Sequence, residues 1–261
     1  MRMLDFGRVV FALAFAALGA LTIAMPGMAA HWLLIPTSLA WHDALAMLLC
    51  ALLIAACVAL LVPQTARPAS LALAALLLVP LALKIPGVAA HPLVEVVWED
   101  ICQDVIYVAG AWTIFSLLPR DIGALGKIAS VRAGRIAFGL ALLPIGLSHF
   151  FYLDLTAPII PSWIPFHVPL AYLTGAAHFA AGIAILFGVL PRLAATLEAV
   201  MVSLFTVLVW PPIVMAAPQN QFRLTEICAS AAIAGAAWAV AASFRMPMLS
   251  GWPATRSRAA A

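Results

Sequence analysis

Charge is what this sequence has least of. Thirteen Lys or Arg and ten Asp or Glu make up 9% of its 261 residues. Soluble domains carry about 25% charged residues, so a water-facing fold is excluded because nothing here would cover its surface. The net charge of +3 gives no footing for a nucleic-acid partner, which needs a dense basic face. Cysteine is equally sparse. Cys50, Cys57, Cys102 and Cys228 form no C-x-x-C pair and have no metal-ligand spacing, so no metal site is expected. All four lie in apolar stretches, where a thiol packs as a small hydrophobe. No phosphate-binding loop, nucleophile triad or haem-ligating histidine pair appears with useful spacing.

What the chain has instead is apolar length. Hydrophobic residues make up 66% of it, and mean hydropathy is +1.13. A transmembrane helix needs about 20 mostly apolar residues. Eight stretches qualify, near 6–25, 40–62, 69–88, 93–117, 133–152, 168–190, 193–214 and 221–244. They are long, Leu/Ala-rich and not alternating, which argues for helices rather than barrel strands. Pro63, Pro68, Pro119, Pro191, Pro211, Pro212 and Pro218 fall at the expected boundaries, where a missing N–H matters least. The first stretch follows a basic start but is longer than the apolar region of a signal peptide, roughly 7–15 residues. It is read as a retained helix.

The basic residues set an orientation. With the N-terminus inside, Arg2, Arg8, Arg67, Arg120, Lys127, Arg132, Arg135, Arg192, Arg245, Arg256 and Arg258 are cytoplasmic, and only Lys84 and Arg223 fall outside. That asymmetry predicts an inner (plasma) membrane protein with both termini in the cytoplasm.

The chain also repeats itself. EDICQDVIYVAGAW (99–112) and TEICASAAIAGAAW (225–238) share an acid, Ile-Cys and a closing Ala-Trp at an offset of 126. IPGVAAHP (85–92) matches PPIVMAAP (211–218), GRVVFALA (7–14) matches GRIAFGLA (134–141), and LLIP (33–36) matches SWIP (162–165). The expected fold is an all-α integral membrane protein of eight transmembrane helices in two parallel four-helix repeats. The first repeat spans 1–118, a cytoplasmic linker 119–132, the second repeat 133–246 and a cytoplasmic tail 247–261. An even number of spans per repeat predicts a pseudo-twofold axis along the membrane normal.

The second repeat resembles a known family. RIAFGLALLPIGLSHFF (135–151) opens on Arg and ends near Gly-Leu-Ser, an Ile-Pro follows at 164–165, and YLTG (172–175) and PRLAA (191–195) open the next features. This pattern is similar to DoxX proteins, small four-helix membrane proteins. The resemblance covers about 130–244 well and 5–117 faintly. Family members often carry Lys after the Gly-Leu-Ser, where this chain has His149. What the resemblance implies is a membrane component of a quinone- or thiol-linked redox system, with a redox protein as partner and a quinone as the ligand to consider.

The ionisable residues within the apolar segments are the candidate site. At a helix centre each is unfavourable by about 2.5–3.5 kcal/mol, so it must face protein or water and usually has a partner. Lys84 ends one helix and is expected to pair with Glu95 or Glu99 on the next, which leaves Asp100 and Asp104 without a basic partner in their own repeat. Arg223 and Glu226 are three apart and placed to pair on one face; Glu226 is the repeat counterpart of Asp100. His178 falls near mid-membrane, suited to exchanging protons near neutral pH and to bonding a quinone oxygen. Glu198 is read as structural, paired with Arg192. Candidate ligand-binding residues are therefore His178, Glu226, Arg223, Asp100, Asp104, Glu99 and His149. Two other readings compete. A non-catalytic scaffold would use the charges only to lock helices together, and a small-molecule transporter would bind at the repeat interface.

Overall fold

The computed structural model describes residues 3–36, 38–118 and 130–244. Most of the expected linker 119–132, the tail 247–261, and Arg2, Arg120, Lys127, Arg245, Arg256 and Arg258 lie outside the described residues. Among the described residues there are eight long helices: α1 Met3–Ala24, α2 His42–Leu61, α3 Ala66–Ala90, α4 Glu95–Leu117, α5 Val131–Phe151, α6 His167–Phe187, α7 Pro191–Ala216 and α8 Gln221–Ser243. There is no strand among the described residues. Seven helices are long and apolar enough to cross a membrane. The eighth, α4, has 23 residues but carries Glu95, Glu99, Asp100 and Asp104, so composition by itself supports seven spans rather than eight.

Several prolines sit inside helices, the expected boundary residues Pro211 and Pro212 among them. Pro80 and Pro86 lie within α3 and Pro144 within α5. Helix α7 passes through Pro211 and Pro212 to Ala216, after a π turn at Phe205–Val209. There the Trp210 N–H reaches back five residues to the Phe205 carbonyl. Two prolines without N–H groups leave carbonyls one turn earlier without donors, and the widened turn accommodates that mismatch.

Each helix packs on its sequence neighbour, and α8 closes the circuit against α1. Helices α4 and α8 also meet across the middle. Two lobes result, α8–α1–α2–α3–α4 and α4–α5–α6–α7–α8, sharing the central pair. The first helix of each expected repeat thus lies against the last helix of the other, α1 on α8 and α5 on α4.

The ends of the bundle are chemically distinct. Arg8 reaches the Leu60 carbonyl at the end of α2 (3.4 Å), and Arg67 stacks over Phe115 at the end of α4 (4.6 Å). Arg135 donates to Ser243 at the end of α8, and Arg192 approaches Met3 Sδ (3.9 Å). Four arginines from four helix starts therefore share one end. At the other end the Tyr152 hydroxyl accepts from the Val96 N–H (3.1 Å).

Apolar residues cover the outside of the bundle as well as its core. Large apolar residues such as Leu13, Leu52, Val58, Leu140, Leu173, Leu197 and Val207 are exposed, as a lipid-facing surface requires. The central α8 buries mainly Ala, Gly and Ser. Lipid tails are as apolar as leucine, so helices associate through close van der Waals contact between small faces. A Cβ on Gly235 would lie 2.6 Å from the Phe11 N, and one on Gly7 2.8 Å from the Gly235 carbonyl. Gly146 faces the Gly175 carbonyl and Gly182 the Gly139 carbonyl at 2.7 Å each. Gly139, Gly146, Gly175, Gly182 and Gly235 all lie at such contacts, and Gly7, Gly110 and Gly134 join them. Gly235→Ala is expected to overpack the α1–α8 contact by about 1–3 kcal/mol, read as a lowered thermal midpoint in detergent. Gly87→Ala, with nothing within 4 Å of the added carbon, should not lower it.

Candidate functional site

Two groups of ionisable side chains lie inside the bundle, one in each lobe. In the first, Lys84 of α3 is only 7% exposed and Asp104 of α4 only 4%. Lys84 Nζ donates to Asp100 Oδ1 at 2.8 Å and lies 2.9 Å from Asp104 Oδ2. It also approaches the Asp100 carbonyl at 3.3 Å. This differs from the expected pairing with Glu95 or Glu99, for a geometric reason. Helical side chains lean toward the N-terminus of their own helix, so the long lysine stem runs away from the α3–α4 turn and deeper into the bundle. Positions equally far from the turn between Ala90 and Glu95 lie at equal depth, which sets Lys84 beside residues 100–104. The lysine counted as an outer-side charge is therefore an interior one.

Beside this ion triad runs a stripe at four-residue spacing on α4: Glu95, Glu99, Gln103 and Tyr107. Gln103 Nε2 donates to Glu99 Oε1 (3.5 Å), and the Tyr107 hydroxyl donates to Gln103 Oε1 (3.2 Å). Both carboxylate oxygens of Glu95 are buried and have no hydrogen-bond partner among the described residues. Glu226 of α8 adds a further acid within Coulombic reach of Glu99, Asp100 and Lys84. Arg223 does not neutralise it. The Arg223 guanidinium turns to the Ile213 carbonyl at 3.0 Å, one of the last carbonyls of α7, which have no intrahelical donor.

In the second lobe His178 of α6 and Glu198 of α7 are 4% and 2% exposed, with His178 Nδ1 2.8 Å from Glu198 Oε1. Glu198 is thus tied to His178 rather than Arg192. The two residues stand ten positions on either side of Gly188, whose left-handed backbone (φ 73°) caps α6; an antiparallel hairpin sets such residues at one depth. His149 of α5 completes the group, its ring 5.3 Å from that of His178 and its Nδ1 3.1 Å from the Ile145 carbonyl. Phe205, the first residue of the π turn, lies edge-on to His178 at 6.3 Å. Glu198 Oε2 is buried without a hydrogen-bond partner among the described residues.

The candidates thus divide. Asp100, Asp104, Glu99 and Glu226 gather around Lys84, His178 and His149 gather around Glu198, and Arg223 braces a helix end. Gln103, Tyr107 and Glu198 were missed from sequence. The first two were legible in the i, i+4, i+8 spacing after Glu99, and the third in its symmetry with His178 about Gly188. All four cysteines are free thiols, and no group of three His, Cys, Asp or Glu among the described residues has the geometry to hold a metal ion.

Lys84→Met should leave two aspartates beside each other without a cation. Removing one partner of a buried ion pair destabilises by about 3–5 kcal/mol, so the thermal midpoint is expected to fall sharply. Lys84→Met combined with Asp104→Asn should recover part of that loss.

Residues 130–211 match the family model DoxX, a stretch that runs from the cap of α5 to the double proline of α7. His149, His178 and Glu198 fall within the match, whereas the lysine–acid cluster lies outside it. No curated protein and no solved structure matches the chain.

Proposed function

We propose that this multi-pass membrane protein is the membrane component of a quinone-linked redox system. Its ligand would bind at the His149–His178–Glu198 group, and a partner redox protein would exchange electrons with it. The observation that carries this reading is the buried His178–Glu198 pair at 2.8 Å. Glu198 fixes the Nδ1 side of the imidazole, and the described residues give its Nε2 no partner. A histidine so oriented can hand a proton to a quinone oxygen, or take one from a quinol hydroxyl, while the carboxylate stabilises the imidazolium. The nearby lipid-facing surface suits a flat ring: Phe150 and Tyr172 are partly exposed and stack at 5.6 Å next to His149. The same chemistry accommodates the thiol-linked reading only if the partner supplies the thiols, since the four cysteines here are free, two of them seven residues apart on α2 and one each on α4 and α8.

The architecture that frames this site is eight membrane helices in two related four-helix units, 1–118 and 133–246, with α4 crossing despite its acids. Support comes from the paired contacts of α1 with α8 and α5 with α4, and from acids that turn inward to Lys84 and Glu226. The shared arginine end faces the cytoplasm of an inner membrane, with both termini on that side, as short basic segments direct.

The test is mass spectrometry of quinones extracted from protein purified in mild detergent. Wild type should retain quinone, and His178→Ala and Glu198→Gln should retain about tenfold less, the equivalent of one charged hydrogen bond. Wild type without quinone, or variants that keep it undiminished, would overturn the reading. Variants that lose thermal stability while quinone retention stays the same would favour the scaffold.

A further inference from the structure

The first lobe holds chemistry that the proposed quinone site does not use. We infer that the cluster around Lys84 is a proton-binding centre, entered from the end of the bundle where α3 turns into α4 and closed toward the arginine end. Glu99 and Glu226 carry its exchangeable protons.

Glu95, Glu99, Asp100, Asp104 and Glu226 are five carboxyls gathered about one ammonium, and Lys84 is already engaged by Asp100 and Asp104. Those two aspartates offset the lysine and leave one negative charge over. Glu99 and Glu226, from α4 and α8, then share with the aspartates the field of one ammonium that is bonded to neither of them. Like-charged carboxyls sharing a site away from water do not both ionise, and their protons belong to the pair. Glu95 adds a second sign: neither of its buried oxygens accepts a hydrogen bond among the described residues, which suits a neutral acid and is costly for a carboxylate.

Helix α3 contributes Lys84, and α8 contributes Glu226, with Arg223 bonded to the Ile213 carbonyl. The end of α5 brings the Tyr152 hydroxyl, which accepts from Val96 N–H, and α1 brings the ring of Phe15. No second cation among these groups is bonded to an acid of the cluster.

The shape sets the direction of entry. Glu95 opens α4 beside exposed Val94 and Val96, Glu99 lies one turn deeper, and the ladder through Gln103 ends at Tyr107. Tyr107 is 6% exposed and packs edge-on against Phe15 at 5.1 Å. Past it Ile106 and Phe11 are fully buried, and an added carbon on Gly110 would sit 2.5 Å from Ala236. Protons therefore enter past Glu95 and stop at Tyr107, making a well rather than a channel. Gln103 holds Glu99 Oε1 as an acceptor, which leaves Oε2 for the proton.

Infrared spectroscopy of the full chain in lipid tests this. A carboxylic-acid carbonyl band that shifts in heavy water should be present at neutral pH, should weaken in Glu99→Gln and in Glu226→Gln, and should lose most of its amplitude in the double variant. Lys84→Met should strengthen it, because an aspartate must take up a proton when the ammonium is gone. Asp43→Asn, at an exposed position, should leave it unaltered. A band persisting at full strength in the double variant would overturn the proposal. If the variants do not fold, wild type decides alone: a band that grows as pH falls through neutrality supports the centre, and no band there overturns it.

Discussion

A helix surrounded by lipid gains nothing by hiding leucine, so the bundle depends on how closely two backbones can approach. Helix α8 supplies that approach. Its buried face is almost entirely Ala, Gly and Ser, and it accepts α1, α4 and α7 around it. At Gly235 and Gly7 there is no room for one more carbon. This dense centre turns the large aliphatic residues outward, where hydrocarbon solvates them as well as any core would. It also fixes the depth and facing of the few polar side chains on the helices it gathers.

Those side chains follow a second constraint, that a charge among acyl chains must find protein. The bundle meets it twice, differently in each lobe. In the first lobe a lysine is surrounded by an excess of acids. In the second a histidine and a glutamate share a hydrogen bond, with another histidine alongside. Apart from Asp100 and Glu226, which are counterparts of each other, the two groups have no ionisable counterparts 126 positions away, where Lys84 would meet Trp210, Asp104 would meet Ser230, His178 would meet Leu52 and Glu198 would meet Ala72. The two halves hold similar small residues and different ionisable ones. Interface residues in both halves are held by the same steric requirement for small side chains. A proton store in one lobe and a proton-exchanging ligand site in the other would be compatible parts of one redox protein.

The sequence by itself determined the solvent and the helices. With 9% charge and long apolar stretches, no arrangement other than helices in a bilayer satisfies the backbone, and seven of the helices carry the apolar length to cross it. The DoxX resemblance was likewise legible, because it lies in helix ends and small residues that are local in sequence. Helix limits were blurred at prolines, since a π turn and tertiary packing carry α7 through a pair that local rules place at a boundary.

Partner choice was decided by the tertiary structure. Spacing along one helix says which residues share a face, and it proposed Arg223 with Glu226. It cannot say that the guanidinium is better used on a carbonyl at the end of α7. Nor does it weigh the lean of a lysine stem, which took Lys84 past Glu95 and Glu99 to Asp100 and Asp104, or the hairpin register that set Glu198 beside His178. A residue's identity is local and its partner is a distance between helices. In this chain those distances are set by backbones brought together on α8.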